Sequence, residues 1–229
     1  MNIFVNTVYW GVVISISLYL ICNYMQKRVK SIFLNPLLFS VVFTILFLLF
    51  FKIDYTCYYE KAVYLQYLLT PATICLAIPL YEQIKLLKKN IKAIILGIIS
   101  GVFTSMISVL LFCIIFSFSH VMYITLLPKS VTAAIAMGIS KELGGLESLT
   151  VPIVIMTGIT GNMIAEKVCR LFKIHEPIAK GIAIGTASHA MGTAKAIDIG
   201  KIEGAMSSLS IAISGIITVI IATVFSYIY

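Results

Sequence analysis

Residues 178–197 read IAKGIAIGTASHAMGTAKAI. The stretch is long and apolar enough to enter a bilayer, where a spanning helix needs about 20 residues. Yet it carries Gly181, Gly185, Ser188, His189, Gly192 and Lys195, unlike an uninterrupted lipid-facing helix. Backbone that departs from helix at membrane depth is tolerated only where protein or a water-filled cavity satisfies its polar groups. The segment therefore predicts a polytopic membrane protein with an internal cavity. Two further apolar stretches are interrupted in the same way. Ala62 to Tyr81 carries Pro71 and Pro79, and Leu126 to Ser140 carries Lys129, Ser130 and Thr132.

The surrounding chain agrees. Of 229 residues, 60% are hydrophobic and only 11% charged, and the mean hydropathy is +1.06, far from a soluble domain. Routine apolar segments run from about Val8 to Tyr24, Leu34 to Phe51, Ile91 to Phe118, Leu149 to Ala165 and Ala205 to Tyr229. Soluble enzymes, secreted disulfide scaffolds and disordered tails are excluded. The expected fold is an all-α polytopic membrane protein, one membrane domain over residues 1–229.

The net charge of +8 is read as topology and not as nucleic-acid binding, because the cations sit in loops such as Lys27-Arg28-Lys30 and Lys85-Lys88-Lys89-Lys92. These loops, with Lys167 to Lys180, should face the cytoplasm. The loops at Lys52 to Lys61 and Lys141 to Glu147 should face outward. Returning to one side between the second and third basic loops takes an even number of crossings, yet three apolar stretches lie between them. Leu126 to Ser140 is therefore expected to be a half-helix or re-entrant segment. The residues before Trp10 carry no Lys or Arg, which fits an uncleaved first span with an outside N-terminus. Of the five cysteines, Cys22, Cys75, Cys113 and Cys169 sit in or at the ends of apolar runs without ligand spacing and read as buried free thiols.

Ile99-Ser100-Gly101-Val102-Phe103-Thr104 compares with Ile213-Ser214-Gly215-Ile216-Ile217-Thr218 at an offset of 114. Thr70-Pro71-Ala72-Thr73 lies over Gly185-Thr186-Ala187-Ser188 at 115, and Pro36 over Pro152 at 116. Three matches in register predict two repeats, about 1–118 and 119–229, parallel or inverted. Paired broken segments in two halves are the sequence pointer to a transporter's midplane site; here they are Tyr67 to Tyr81 and Gly185 to Lys195.

Within the second break, small residues allow close backbone approach, and Ser188 and Thr193 offer hydroxyls. Helix packing explains the same pattern. His189 is the ionisable group of the segment, and an intramembrane ionisable residue is a functional-site hypothesis by default. It is either a hydrogen-bonded structural histidine or a group that binds a carboxylate or relays a proton. Lys129 either snorkels to an interface or joins Ser130 and Thr132 in an anion site at a half-helix N-terminus. Thr70, Pro71 and Thr73, preceded by Gln66, are a second polar set or a proline kink. Asn162 and Thr157 are lesser candidates, and Lys195 adds a third cation. Gly97 to Gly101 and Gly181 to Gly185 have the spacing of helix contacts. No phosphate-binding loop, HExxH or paired CxxC occurs, so no metal, cofactor or enzymatic role is expected. Adjacent Ser188 and His189 would point about 100° apart on a helix, not as nucleophile and base.

The run Leu126-Leu127-Pro128-Lys129-Ser130-Val131-Thr132, the pair Gly144-Gly145, and Gly185 through Ala194 closely resemble the LrgB/CidB family. So do Asn35-Pro36-Leu37, Thr70-Pro71-Ala72-Thr73 and Ala77-Ile78-Pro79-Leu80-Tyr81. The resemblance covers nearly the whole chain and departs at Lys195, where arginine is the more usual residue. It implies a bacterial cytoplasmic membrane protein. Family members are described as antiholin-like regulators of murein hydrolase export and lysis, beside a small LrgA/CidA-type membrane partner. Other relatives are carriers: a plant plastid member exchanges glycolate and glycerate, and bacterial members are associated with pyruvate uptake. The residues favour a carrier of small monocarboxylates, with or without a coupled proton; a homo-oligomer is expected. Its site would draw on Gln66, Thr70, Pro71, Thr73, Lys129, Ser130, Thr132, Asn162, Ser188, His189, Thr193 and Lys195.

Overall fold

The computed structural model describes residues 7–29 and 35–229, without the side chains of residues 69 and 73. Lys30 and Leu34, named above in a basic loop and an apolar segment, lie outside the described residues, as does the Thr73 side chain. The described residues are helical and contain no strand. Four stretches are long and apolar enough to cross a membrane: Tyr55–Glu82, Ile84–Ile115, Glu147–Leu171 and Lys201–Phe225. Large apolar side chains face outward, among them Phe50 at 81%, Ile115 at 70% and Ile216 at 66% exposure. Such surfaces are stable only against lipid or other apolar partners. This is an all-α, multi-pass membrane protein.

Two compact units divide between Cys75 and Leu76. In the first, α1 (Trp10–Val29) packs on α2 (Pro36–Phe50) and α3 (Tyr55–Ala62). Asn35 starts α2 by accepting from Leu37 N at 2.9 Å and Leu38 N at 3.1 Å, ahead of the proline at the first helical position, as N-cap chemistry requires. Gly11 lets α1 approach the α3 backbone, since a Cβ there would stand 2.8 Å from Ala62 N. Ser15 and Tyr58 share a hydroxyl hydrogen bond of 2.6 Å across the same contact. A 3-10 segment, Val63–Leu68, separates α3 from α4 (Leu69–Cys75).

The second unit holds α5 (Ala77–Glu82), α6 (Ile84–Ile115), α7 (His120–Leu126), α8 (Ala133–Leu143), α9 (Glu147–Leu171), α10 (Pro177–Ile199) and α11 (Lys201–Phe225). Its core lies between α6, α7, α8 and α11 around Ile94, Ile98, Met106, Tyr123, Leu127 and Met206. The first expected re-entrant segment is a helical hairpin. Thr125 on its entering arm α7 and Ser140 on its return arm α8 both bond Thr150 of α9, at 3.4 and 2.8 Å. Consecutive turns over residues 127–132 make the tip. The base of the hairpin is tied to the end of α11 by Tyr123 Oη donating to Phe225 O at 2.9 Å. The tip lies against the middle of α11, where a Cβ at Gly215 would stand 2.8 Å from Ile135.

The stretch 178–197 is also a hairpin, and here the structure goes beyond the expected interrupted span. His189, at φ 42° and ψ −139°, breaks α10. Contacts on either side of it run in opposite senses. A Cβ at Gly181 would stand 2.5 Å from Glu203 O, and one at Gly185 2.6 Å from Ser207 O; the first arm thus runs parallel to α11. On the return arm, Thr193 bonds Ser207 and Ile197 lies on Gly204, so that arm is antiparallel to α11. Across the hairpin, a Cβ at Gly192 would be 3.0 Å from Ile184 O, whereas eight residues of continuous helix span about 12 Å. At ~1.5 Å per residue each arm of this 23-residue element reaches about 17 Å, half of a ~30 Å hydrocarbon core.

Glycine permits both hairpins to lie this close to their neighbours. The two GxxxG spacings are real contacts: Gly97 and Gly101 receive Ile182 and Thr186, and Gly181 and Gly185 receive α11. Overfilling such a contact costs about 1–3 kcal/mol. Gly185→Val and Gly161→Val, the latter driven into Ser188, should each lower thermal stability in detergent. Gly138→Ala, with nothing within 4 Å of the new methyl, should leave it unchanged or raise it. Equal melting temperatures for Gly185→Val and Gly138→Ala would contradict the packing.

Candidate functional site

The tips of the two hairpins come together. Ser130 at the first tip and Thr186, three residues before His189, line one small cavity, closed by Ser105 of α6 and by Ser214 and Thr218 of α11. The cavity measures about 10 Å³, the space of about one water. Val131 at the first tip packs on Val154 of α9, and the Val154 carbonyl is the partner of His189, 3.0 Å from Nε2. A carbonyl only accepts, so Nε2 carries the proton and Nδ1 is the nitrogen left to gain or lose one.

The His189 break is held on every side. Gly158 leaves room for the imidazole, since a Cβ there would stand 2.6 Å from its Cε1. Asn162 Nδ2 donates to Met191 O at 2.8 Å, just past the break. Thr193 Oγ1 donates to His189 O at 3.0 Å; its single proton is then used, so in the 2.7 Å contact with Ser207 it is the serine that donates. The Ser188 hydroxyl lies over Gly161 while His189 turns to Val154, so the two neighbours do not form a nucleophile and base.

At the first tip, Lys129 is half-buried and its ammonium donates to Ser105 Oγ at 3.3 Å and Ser130 Oγ at 3.2 Å. The two serine hydroxyls are themselves 2.8 Å apart. Among the described residues Lys129 has no carboxylate partner. Lys195 does: it lies 3.4 Å from Glu166 Oε2, with the two side chains 29% and 51% exposed. A pair so open to its surroundings adds about 0–1 kcal/mol at most. Thr132 caps α8 by its backbone alone, and Thr157 bonds Ile153 O of its own helix.

The structure thus brings Lys129, Ser130, Asn162, Ser188, His189 and Thr193 onto two adjoining breaks of the second unit. Gln66, Thr70 and Pro71 belong to the first unit and are exposed there. Ser105, Thr186, Ser214 and Thr218 line the cavity at these breaks, and Ser207 meets Thr193; none of the five stands out in the sequence as a candidate. A legible signal existed for three of them, because Ser207, Ser214 and Thr218 recur at helical spacing along one face of α11. Among the described residues no cluster of His, Cys, Asp and Glu has the makings of a metal site.

The bond from Asn162 is the most direct test of this geometry. Asn162→Leu should destabilise by about 1–3 kcal/mol, by leaving the Met191 carbonyl without its side-chain donor, while Asn162→Gln should recover part of the loss. A leucine variant as stable as the parent would remove Asn162 from the support of the break.

The model of the LrgB-like family matches residues 15–228. Holin-like protein CidB of Staphylococcus aureus, in strains N315 and MW2 alike, is 33% identical over 213 residues, covering 93% of this chain and 93% of its own. No solved structure matches. With a family match over almost its whole length and relatives alike from end to end, this chain belongs to the LrgB-like family.

Proposed function

We propose that the protein is a membrane carrier of small organic monocarboxylates, of the pyruvate, glycolate or glycerate class, and that the substrate is held between the two hairpin tips. The observation behind this reading is the pairing of opposed breaks: one tip presents Lys129 with only hydroxyl partners among the described residues, the other presents His189. A cation without a counter-anion inside an apolar protein is costly and marks an ion or substrate path. Discontinuous helices meeting at mid-depth are the building plan of carriers that alternate access around a fixed site. The order of hairpin followed by long helix occurs twice in opposite senses, α7–α8 before α9 and α10 before α11. This favours an inverted pair within residues 120–225, beside the expected duplication of 1–118 and 119–229. Proton coupling has a place at His189 Nδ1, and Lys195, paired with Glu166, is a weaker ligand candidate than Lys129.

A second reading has its own support. The relatives bear the name holin-like protein, which fits a regulator of murein hydrolase activity and lysis in the bacterial cytoplasmic membrane, working with an LrgA/CidA-type partner or as a homo-oligomer. On that reading the outward apolar faces matter more than the tips. The comparisons favour this reading; the arrangement of polar groups inside a single chain favours the carrier, and lysis control then follows from metabolite traffic.

Counterflow of labelled pyruvate, glycolate and glycerate into liposomes separates the two. The carrier reading predicts saturable uptake that falls at least tenfold in His189→Ala and in Lys129→Ala, with folding retained. Absence of flux from folded protein, alone and with an LrgA-type partner, would favour the regulator.

A further inference from the structure

We infer that the cavity walled by Ser105, Ser130, Thr186, Ser214 and Thr218 is the seat of the ligand's carboxylate, with Lys129 supplying the charge; this rests on the carrier reading and names the contacts at its anionic end. The rest of the wall is apolar, from Val102, Met106, Leu127 and Val131, and no charged residue lines the cavity, so its polar character comes from these hydroxyls and from the ammonium that reaches it through two wall residues, Ser105 and Ser130.

The proton inventory decides what the wall can bind. Thr186 spends its proton on Ile182 O at 2.8 Å, and Ser214 on Ile211 O at 3.2 Å. Ser105 and Ser130 share one of their two protons at 2.8 Å, which leaves the other to point elsewhere. Thr218 is 4% exposed, and its hydroxyl has no partner among the described residues. A nine-tenths buried hydroxyl that lines a cavity and is bonded to nothing is costly unless a ligand or water occupies the space. Lys129 has three N–H donors and uses two. One serine proton, the Thr218 proton and the third ammonium proton thus remain as donors, a set suited to the two oxygens of a carboxylate. A cation is disfavoured beside Lys129. At the size of about one water, the cavity takes a single carboxylate oxygen, and seating the whole group requires one tip to withdraw.

The test reads binding apart from transport. Folded protein in nanodiscs is treated with an amine-reactive acetylating reagent, and modification of Lys129 is followed by mass spectrometry against increasing formate and then pyruvate. Formate is expected to protect Lys129 in the parent. Thr218→Val and Ser105→Ala should each shift the half-protecting concentration up by roughly tenfold or more, as expected for a lost hydrogen bond to a charged group. Thr223→Val, on the exposed face of α11, should not shift it. Failure of formate to protect Lys129 in the parent overturns the assignment, as does equal protection in the parent and both cavity variants. Protection sensitive to Thr218 in a protein without flux keeps the anion seat and removes the carrier.

Discussion

A backbone that turns back inside an apolar layer must satisfy its amide and carbonyl groups from the protein itself, and that constraint organises the second unit. The turn at His189 frees polar groups that water cannot reach. Val154, Asn162, Thr193 and Ser207 converge on the residues around it. They can do so only because Gly158, Gly161, Gly181 and Gly185 let α9, α10 and α11 approach to backbone distance. The small residues of the break and those of its neighbours are one device. The tip of α7–α8 is met in the same way, by the serine pair and by Gly215.

Two consequences follow for chemistry. Polar groups collect where the helices stop, leaving the outer faces apolar; Lys129 sits at a tip, and Glu203 is buried in the first turn of α11. Of the two lysines placed near the breaks, Lys195 pairs with Glu166, while Lys129 faces hydroxyls. That contrast assigns different work to residues alike in charge. The small space beside Lys129 gives the tips a shared wall of hydroxyls and apolar side chains, so a movement of either hairpin changes its shape. The holin-like name of the relatives and the proposed carriage of a small anion are compatible if the anion's movement is what lysis responds to.

Much of this was legible in the chain. The apolar segments and the breaks at residues 185–195 and within Leu126 to Ser140 follow from composition, glycine content and charge parity. The reversal of α10 was not legible, because a kink and a hairpin need the same residues: glycines, hydroxyls and one strained position. Only contacts at long range, Ile184 with Gly192 and Gly181 with Glu203, tell them apart. Thr218 and Ser214 escaped notice for a related reason. A hydroxyl on a long apolar helix commonly bonds its own helix backbone, as Ser210 bonds Met206 O, and which one faces a cavity depends on the neighbours. Gln66, Thr70 and Pro71 stand out by their offset from the second break, a criterion carrying no information about burial.

The central claim is that both hairpins re-enter, from opposite sides, and it is decided by the sidedness of four loops. Single cysteines at Phe116, Glu147, Lys173 and Lys201 in a cysteine-free background would be labelled by an impermeant maleimide in intact cells and in inverted vesicles. The account predicts that Lys173→Cys and Lys201→Cys react from one side, and Phe116→Cys and Glu147→Cys from the other. Lys173→Cys and Lys201→Cys on opposite sides would make residues 177–199 a crossing helix and contradict the account.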